Sequence, residues 1–152
     1  MNIKMINKSD ELNVLIIGCG RLGATLANSL AQQNHNVTIV DKDGKAFRKL
    51  SDSFGGLTLE GNALDLAYLK EIHMEDYETI VCVTNNDNTN VMVAQIAKKI
   101  FHAKHVISRL YDPQRECVYK EYGIETICPA VLSAHKIDNI LNRKKGCELY
   151  EK

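Results

Sequence analysis

The sequence lacks an excess of charge of either sign and lacks any long apolar run. Its 19 Lys and Arg balance 19 Asp and Glu, so the formal net charge is zero, and no overall field attracts nucleic acid or an anionic membrane. No apolar run approaches the roughly 20 residues that span a bilayer. We therefore expect a cytoplasmic protein that binds no nucleic acid and does not insert into the membrane. Any membrane role would come through a partner.

The sequence also lacks closely spaced cysteines. None of its five cysteines forms a C-x-x-C pair, the spacing typical of redox and many metal sites: Cys19, Cys82, Cys117, Cys128 and Cys147. We expect reduced, mostly buried thiols.

Common catalytic motifs are missing as well. There is no G-x-S-x-G elbow and no Walker sequence. None of the six Tyr residues has Lys four positions on, which argues against a short-chain dehydrogenase. His102 and His105 lie at a helix end and a strand start, so we expect no shared metal ion. We predict no catalytic residue and no metal site.

From Asn13 onward, short β-branched runs alternate with helical patterns. This alternation is typical of βαβ units that build a parallel sheet. It predicts an α/β fold, a Rossmann-like doubly wound sheet of about six parallel strands with helices on both faces. Strands are predicted at 14–17, 37–40, 57–59, 79–84, 105–108 and 125–128, and helices at 21–33, 43–51, 62–70, 87–100, 112–123 and 131–141. The 152 residues suit one domain at 13–141, between a polar N-terminal segment at 1–12 and a polar, frayed C-terminal tail at 142–152.

The segment Gly18-Cys19-Gly20-Arg21-Leu22-Gly23 fits G-x-G-x-x-G between a buried strand and an amphipathic helix. In that position the glycines allow a tight turn, close approach of a pyrophosphate and close packing of the helix on the sheet. The helix N-terminus then offers free N–H groups to phosphate. The alternative is a glycine-rich turn without a ligand.

Asp41 closes the second strand 18 positions after Gly23. An acidic residue near this spacing accepts hydrogen bonds from an adenosine ribose and repels a 2′-phosphate. The expected ligand is therefore NAD(H), ATP, ADP or AMP and not NADP(H). The alternative role is a helix cap, for which Asp43 is better placed.

Three further residues are candidate ligand contacts. Arg21 places a cation in the first turn of a helix, which is unfavourable unless an anion compensates it or the side chain turns into solvent. Thr84 and Arg109 end the fourth and fifth strands, at the sheet edge where ligands bind in this fold class. Each could equally be an ordinary surface residue at a strand end.

Taken together, these residues resemble the KTN/RCK (TrkA-N) family of cytoplasmic nucleotide-binding domains that regulate bacterial potassium channels and transporters. The resemblance covers about 13–140 and rests on six places in the sequence. They are the Arg-containing glycine turn, Val40-Asp41-Lys42-Asp43, Gly61-Asn62-Ala63, Val83-Thr84-Asn85-Asn86-Asp87 with Asn90, Arg109 followed by Asp112-Pro113, and Gly123 before Pro129.

The resemblance implies an adenine-nucleotide sensor that forms a homodimer or a higher ring and acts on a membrane potassium transporter or channel subunit. It places phosphate at the glycine turn, ribose at Asp41 and the adenine edge at Asn62 and Ala63. By the same resemblance, Lys42 and Asn85 join the expected site.

Two positions depart from the family pattern, because Asn62 stands where Asp is common and Ala130 where Glu often follows the proline. These departures put adenine contacts and cation coordination in question. Since the chain ends at Lys152, we also expect no C-terminal ligand-binding subdomain.

Two other functions stay open. An NAD-dependent oxidoreductase could act with a separate catalytic subunit. A methyltransferase could use the glycine turn for S-adenosylmethionine, although Arg21 and the third glycine favour a ligand with phosphate.

Overall fold

The computed structural model describes residues 11–147, with side chains described through 143. Six strands alternate with helices, as the sequence predicts. The strands are β1 (Asn13–Ile17), β2 (Asn36–Asp41), β3 (Leu57–Glu60), β4 (Thr79–Cys82), β5 (His105–Arg109) and β6 (Glu125–Ile127). The α-helices are α1 (Arg21–Gln32), α2 (Leu66–Glu71), α3 (Asp87–Lys99), α4 (Glu116–Glu121) and α5 (Pro129–Cys147), and 3₁₀ helices form at Gly44–Lys49, Met74–Asp76 and Pro113–Arg115.

The strands form one parallel sheet in the order β3-β2-β1-β4-β5-β6. Strands β2 and β3 follow β1 towards one edge of the sheet, and β4, β5 and β6 then follow on the other side of β1 towards the opposite edge. Ile17 at the end of β1 lies opposite both Val40 of β2 and Cys82 of β4. The predicted Rossmann-like doubly wound fold is confirmed, and the order of the strands reverses between β1 and β4.

Alternating residues of the central strands build two apolar layers, one on each face of the sheet. Leu15 and Ile17 belong to the layer that includes the buried side of α3, whereas Val14 and Ile16 belong to the layer that includes α1. All four side chains are at most 2% exposed. Burial on both faces explains why β1 reads as a continuous apolar run and not as an alternating one.

The predicted start of α2 at Asn62 is wrong. Asn62 Oδ1 accepts a hydrogen bond from Leu64 N at 3.0 Å, which closes a local turn. The cap is Asp65, whose Oδ1 accepts from Ala67 N at 2.9 Å, so α2 begins only at Leu66. Both residues are good cap formers, and the sequence pattern alone does not rank two of them three positions apart.

Strand β4 ends at Cys82, two residues before the predicted end at Thr84. The reason is local, because Thr84 N donates to the side chain of Asn90 and not to a neighbouring strand. Helix α5 continues through Cys147, so residues 142–147, predicted as part of a frayed tail, are helical. The predicted tail residues 148–152 and residues 1–10 of the N-terminal segment lie outside the described residues.

The described thiols divide into two groups. Cys19 and Cys82 are buried, and burial raises the pKa of the Cys82 thiol to about 12. Cys117 is exposed and Cys128 is half-buried. The prediction of mostly buried thiols is therefore wrong for Cys117, which lies on the outer side of the short helix α4.

Within the described residues, no helix is both long enough and apolar enough to cross a membrane.

Helix α1 packs so closely on the sheet that a Cβ atom at Gly23 would overlap the carbonyl oxygen of Gly18. We expect Gly23→Ala to lower the free energy of unfolding by about 1–3 kcal/mol, the usual cost of overpacking. Gly20→Ala is the matched control, because nothing lies within 4 Å of a Cβ at that position. Its cost should stay under about 1 kcal/mol. Urea denaturation of both variants measures the difference, and equal stabilities would show that α1 can move away from the sheet without cost.

Candidate functional site

The carboxyl ends of β1, β2, β4 and β5 meet at one edge of the sheet, beside the point where the strand order reverses. In open α/β sheets a crevice forms at this point, because the connections leave the sheet on opposite faces. The structure brings the expected phosphate and ribose residues together at this crevice, with the ends of β4 and β5 beside them.

The turn after β1 is shaped by its first glycine. Gly18 has a φ of +105°, a conformation that L side chains rarely adopt. A Cβ there would lie 2.9 Å from Thr84 N, so Gly18 also allows the turn to lie directly against the end of β4. Gly18 N donates to Val40 O at 2.8 Å, which fixes the turn to β2 as well.

The N-terminus of α1 is open. Gly20 occupies the cap position without a side-chain acceptor, and the first turn contains no acidic residue. Arg21 is exposed and forms no ion pair with another residue of 11–143. Free N–H groups, the positive end of the helix dipole and a guanidinium together form an environment that favours a phosphate group. Of the other two positions of the turn, Cys19 is buried and Leu22 half-buried.

Asp41 holds its carboxylate in a fixed orientation next to this turn. Oδ2 accepts from Cys19 N at 2.7 Å, and Oδ1 accepts from Asp43 N at 2.9 Å. Each oxygen of an ionised carboxylate has about two acceptor positions, so one remains on each oxygen. Asp43 is the helix cap, since its own Oδ1 accepts from Lys45 N at 3.0 Å. The geometry therefore leaves Asp41 able to accept hydrogen bonds from a diol.

The expected adenine side is more open. Lys42 and Asn62 are exposed, whereas Ala63 is buried in the core beside them. Gly61 N donates to Asp41 O at 2.9 Å, so the loop after β3 is fixed to the end of β2. Asn62 Oδ1 uses one of its two acceptor positions within the local turn, so the side chain can offer its NH₂ group and one acceptor position to a ligand without breaking that turn.

On the other side of the crevice, the polar atoms of Thr84 are held within the protein. Thr84 Oγ1 lies 2.7 Å from Asn90 Oδ1, to which it donates, and accepts from Asn86 N at 3.2 Å. Thr84 has little hydrogen-bonding capacity left for a ligand, and its backbone defines the crevice wall. The next residue, Asn85, is exposed.

Arg109 ends β5 and is half-buried. Its guanidinium forms no ion pair with the residues of 11–143, and its carbonyl oxygen accepts from Asn90 Nδ2 at 3.3 Å. Arg21 and Arg109 are thus two cations without a carboxylate partner in the described structure, one on each side of the strand-order reversal.

Asn90 is a residue that sequence reasoning placed only within the family pattern and not in the site. It is fully buried and is bonded to both strand ends of the far side. The signal that could have found it is its position on α3. It lies three, four and seven positions before Val93, Ala94 and Ala97, so it falls on the buried apolar face of the helix.

Among the described residues, no group of three or more His, Cys, Asp and Glu side chains lies in an arrangement that could hold a metal ion.

Sequence comparison identifies relatives among potassium uptake proteins. The "Trk system potassium uptake protein TrkA" of Streptomyces coelicolor is 37% identical over 132 residues, covering 87% of this chain and 58% of that protein. The "Trk system potassium uptake protein TrkA homolog" of Methanothermobacter thermautotrophicus is 28% identical over 137 residues, covering 90% of this chain and 63% of that protein. This chain therefore spans about three fifths of the length of these two curated relatives.

Solved structures with the same fold include two with a bound nucleotide. The TrkA-N domain of the Escherichia coli inner membrane protein ybaL superposes with a TM-score of 0.75 at 18% identity, covering 87% of this chain and 98% of that one. The Shewanella denitrificans Kef CTD in its AMP-bound form gives 0.69 at 19% identity, with 82% and 76% covered. The GsuK channel bound to NAD gives 0.65 at 17% identity, with 80% and 22% covered.

These structures share the fold described above. The sequence profile of the TrkA-N domain matches residues 14–129, from the first residues of β1 to the start of α5. This range contains every residue of the crevice described here. The chain belongs to the TrkA-N domain family.

Proposed function

We propose that this chain is a cytoplasmic nucleotide-sensing regulatory domain or subunit of a potassium uptake system. Its ligand is an adenine nucleotide with a free ribose, namely NAD(H), ATP, ADP or AMP. The observation that carries the proposal is the Asp41 carboxylate, oriented by two backbone N–H groups beside the open N-terminus of α1.

The ligand would lie along the sheet edge in a definite order. Phosphate would bind at the first turn of α1, next to Gly20 and Arg21, where nothing compensates the helix dipole. The ribose would bind Asp41, and the base would lie towards Asn62. A second phosphate or a second nucleoside would extend across the end of β1 towards Arg109. The AMP-bound and NAD-bound relatives support a ligand of this class.

We propose regulation and not catalysis because the curated relatives are named as potassium uptake proteins. A regulatory domain has two conformations, and its ligand binds one of them more tightly than the other. This difference in binding free energy shifts the conformational equilibrium of the domain and of the partner bound to it. The proposed partner is a membrane potassium transporter or channel subunit, which would hold the chain at the inner face of the membrane.

We also propose that the chain functions as a homodimer through α5. Every residue of 130–143 is exposed in the single chain, including Leu132, Ile137, Ile140 and Leu141. A helix with this many exposed apolar side chains is typical of an interface and not of a solvated surface. The zero net charge of the chain removes general repulsion between two copies.

The ribose contact is tested by Asp41→Ala. Loss of charge-assisted hydrogen bonds at about 1.5–3 kcal/mol should weaken binding of NADH or AMP roughly 10- to 100-fold. It should also raise the affinity for NADPH relative to NADH, because the repulsion of the 2′-phosphate disappears. Isothermal titration of the nucleotide-free protein with ATP, ADP, AMP, NAD⁺, NADH, NADP⁺, NADPH and S-adenosylmethionine measures both effects.

Asp43→Ala is the matched control for this titration. It removes a neighbouring carboxylate and a helix cap but keeps the backbone N–H that orients Asp41. Its affinities should stay within about twofold of the wild-type values. Tight binding of NADP⁺ or S-adenosylmethionine to the wild type, or an equal loss in both variants, would contradict the ribose role of Asp41.

The dimer surface is tested by Ile137→Lys. Ile137 is 59% exposed in the single chain, so the change should not affect the folded monomer, but it would place a charge in the proposed interface. We expect multi-angle light scattering to show a dimer for the wild type and a monomer for the variant. Met92→Lys, at a position 52% exposed on α3, should stay dimeric. A monomeric wild type would refute the proposal.

A further inference from the structure

We propose that Asn90 is a positioning residue for the far half of the nucleotide site, and that it determines affinity for ligands that cross the strand-order reversal. The inference rests on the proposed function, because it concerns the same crevice. The inference goes beyond the proposed function because it assigns a role to a fully buried residue and because it distinguishes mononucleotides from dinucleotides as ligands.

The side-chain amide of Asn90 connects three elements. Its Oδ1 accepts from Thr84 N at 2.9 Å and from Thr84 Oγ1 at 2.7 Å. Its Nδ2 donates to Thr84 O at 3.0 Å and to Arg109 O at 3.3 Å. A primary amide has two donor hydrogens and two acceptor positions, so every hydrogen-bonding position of Asn90 is used. The ends of β4 and β5 are therefore both fixed to α3.

Asn90 is fully buried, and its bonds are not those of a helix cap. The cap of α3 is Asn86, whose Oδ1 accepts from Thr89 N at 3.0 Å. An amide placed one turn further, on the apolar face of the helix, costs free energy unless all its polar atoms are paired. All of them are paired, and the partners are atoms of Thr84 and Arg109.

The first turn of α3 holds the chain beyond Arg109 as well. Both oxygens of Asp87 lie near Tyr111 N, at 3.0 and 2.9 Å. Asn90 thus binds the carbonyl of Arg109, and Asp87 binds the N–H two residues later. The backbone that directly follows the Arg109 Cα is therefore held by α3 at two points.

The near half of the site is fixed by other bonds. The Asp41 carboxylate is held by Cys19 N and Asp43 N, and Gly18 N donates to Val40 O. Neither set of bonds includes Asn90. A mononucleotide that binds only at Asp41 and the first turn of α1 should therefore not depend on Asn90, whereas a dinucleotide that reaches Arg109 should.

The test compares NADH with AMP on Asn90→Ala by isothermal titration. We expect the NADH affinity to fall roughly tenfold or more, as for loss of a site-orienting set of hydrogen bonds, and the AMP affinity to change less than about twofold. A purely structural role would not produce this split. A variant that is less stable but still folded at the titration temperature would bind each ligand with the affinity of the wild type. Asn90→Ser leaves a smaller cavity and should show the same split to a lesser extent, so it replaces Asn90→Ala if that variant does not fold.

Asn28→Ala is the matched control. It removes an Asn side chain that accepts from Ser51 N at 3.1 Å, away from the crevice. Thermal denaturation should show a lower melting temperature, but the ratio of NADH to AMP affinity should stay that of the wild type. Equal losses for NADH and AMP in the Asn90 variants, or no loss for either, would overturn the inference while leaving the proposed function intact. Failure of the wild type to bind any adenine nucleotide would refute both.

Discussion

The close contact between Gly23 and the carbonyl of Gly18 is the constraint on which the rest of the structure depends. Only a residue without a Cβ allows α1 to lie this near the end of β1. Because the helix lies so close, Ala24 and Ala27 complete the apolar layer on that face of the sheet, and the first turn of the helix lies next to the end of β1. The packing of this apolar layer and the geometry of the proposed phosphate site therefore depend on the same contact.

The crevice is built from two halves that are fixed in different ways. On the β2 side, the Asp41 carboxylate is oriented by backbone N–H groups of the glycine turn and of the loop after β2. On the β4 and β5 side, one buried amide, that of Asn90, is bonded to the backbone of both strand ends. Gly18 is the point where the halves touch, since it packs against Thr84. A ligand that reaches both halves would bind groups whose relative position is set by this contact and by the pairing of β1 with β4.

The sequence was sufficient to predict the fold. A parallel strand that is buried on both faces has a continuous apolar run, and the helices between strands have apolar residues at helical spacing. The sequence also predicted that the glycine turn and Asp41 lie together, since both belong to one βαβ unit, and their contacts with phosphate and ribose stay predictions. It failed where the outcome depends on competition or on distant contacts. Asn62 and Asp65 compete for one helix end. Asn90 acquires its role only when β5, nearly twenty residues later, lies beside β4.

The same distant contacts connect the proposed nucleotide site with the proposed dimer helix. Leu110 directly follows Arg109, and its N–H donates to Ile127 O at 2.9 Å, two residues before α5 begins. Leu110 also lines a shallow groove together with Val131 and Leu132 of the first turn of α5. Leu110 lies between the Arg109 carbonyl and Tyr111 N, which are both bonded to α3, so the helix that fixes the far side of the crevice also sets the position of Leu110 beside the start of α5. Short connections of this kind let a small movement at a ligand reach an interface, because packed side chains change position in discrete steps and do not deform gradually.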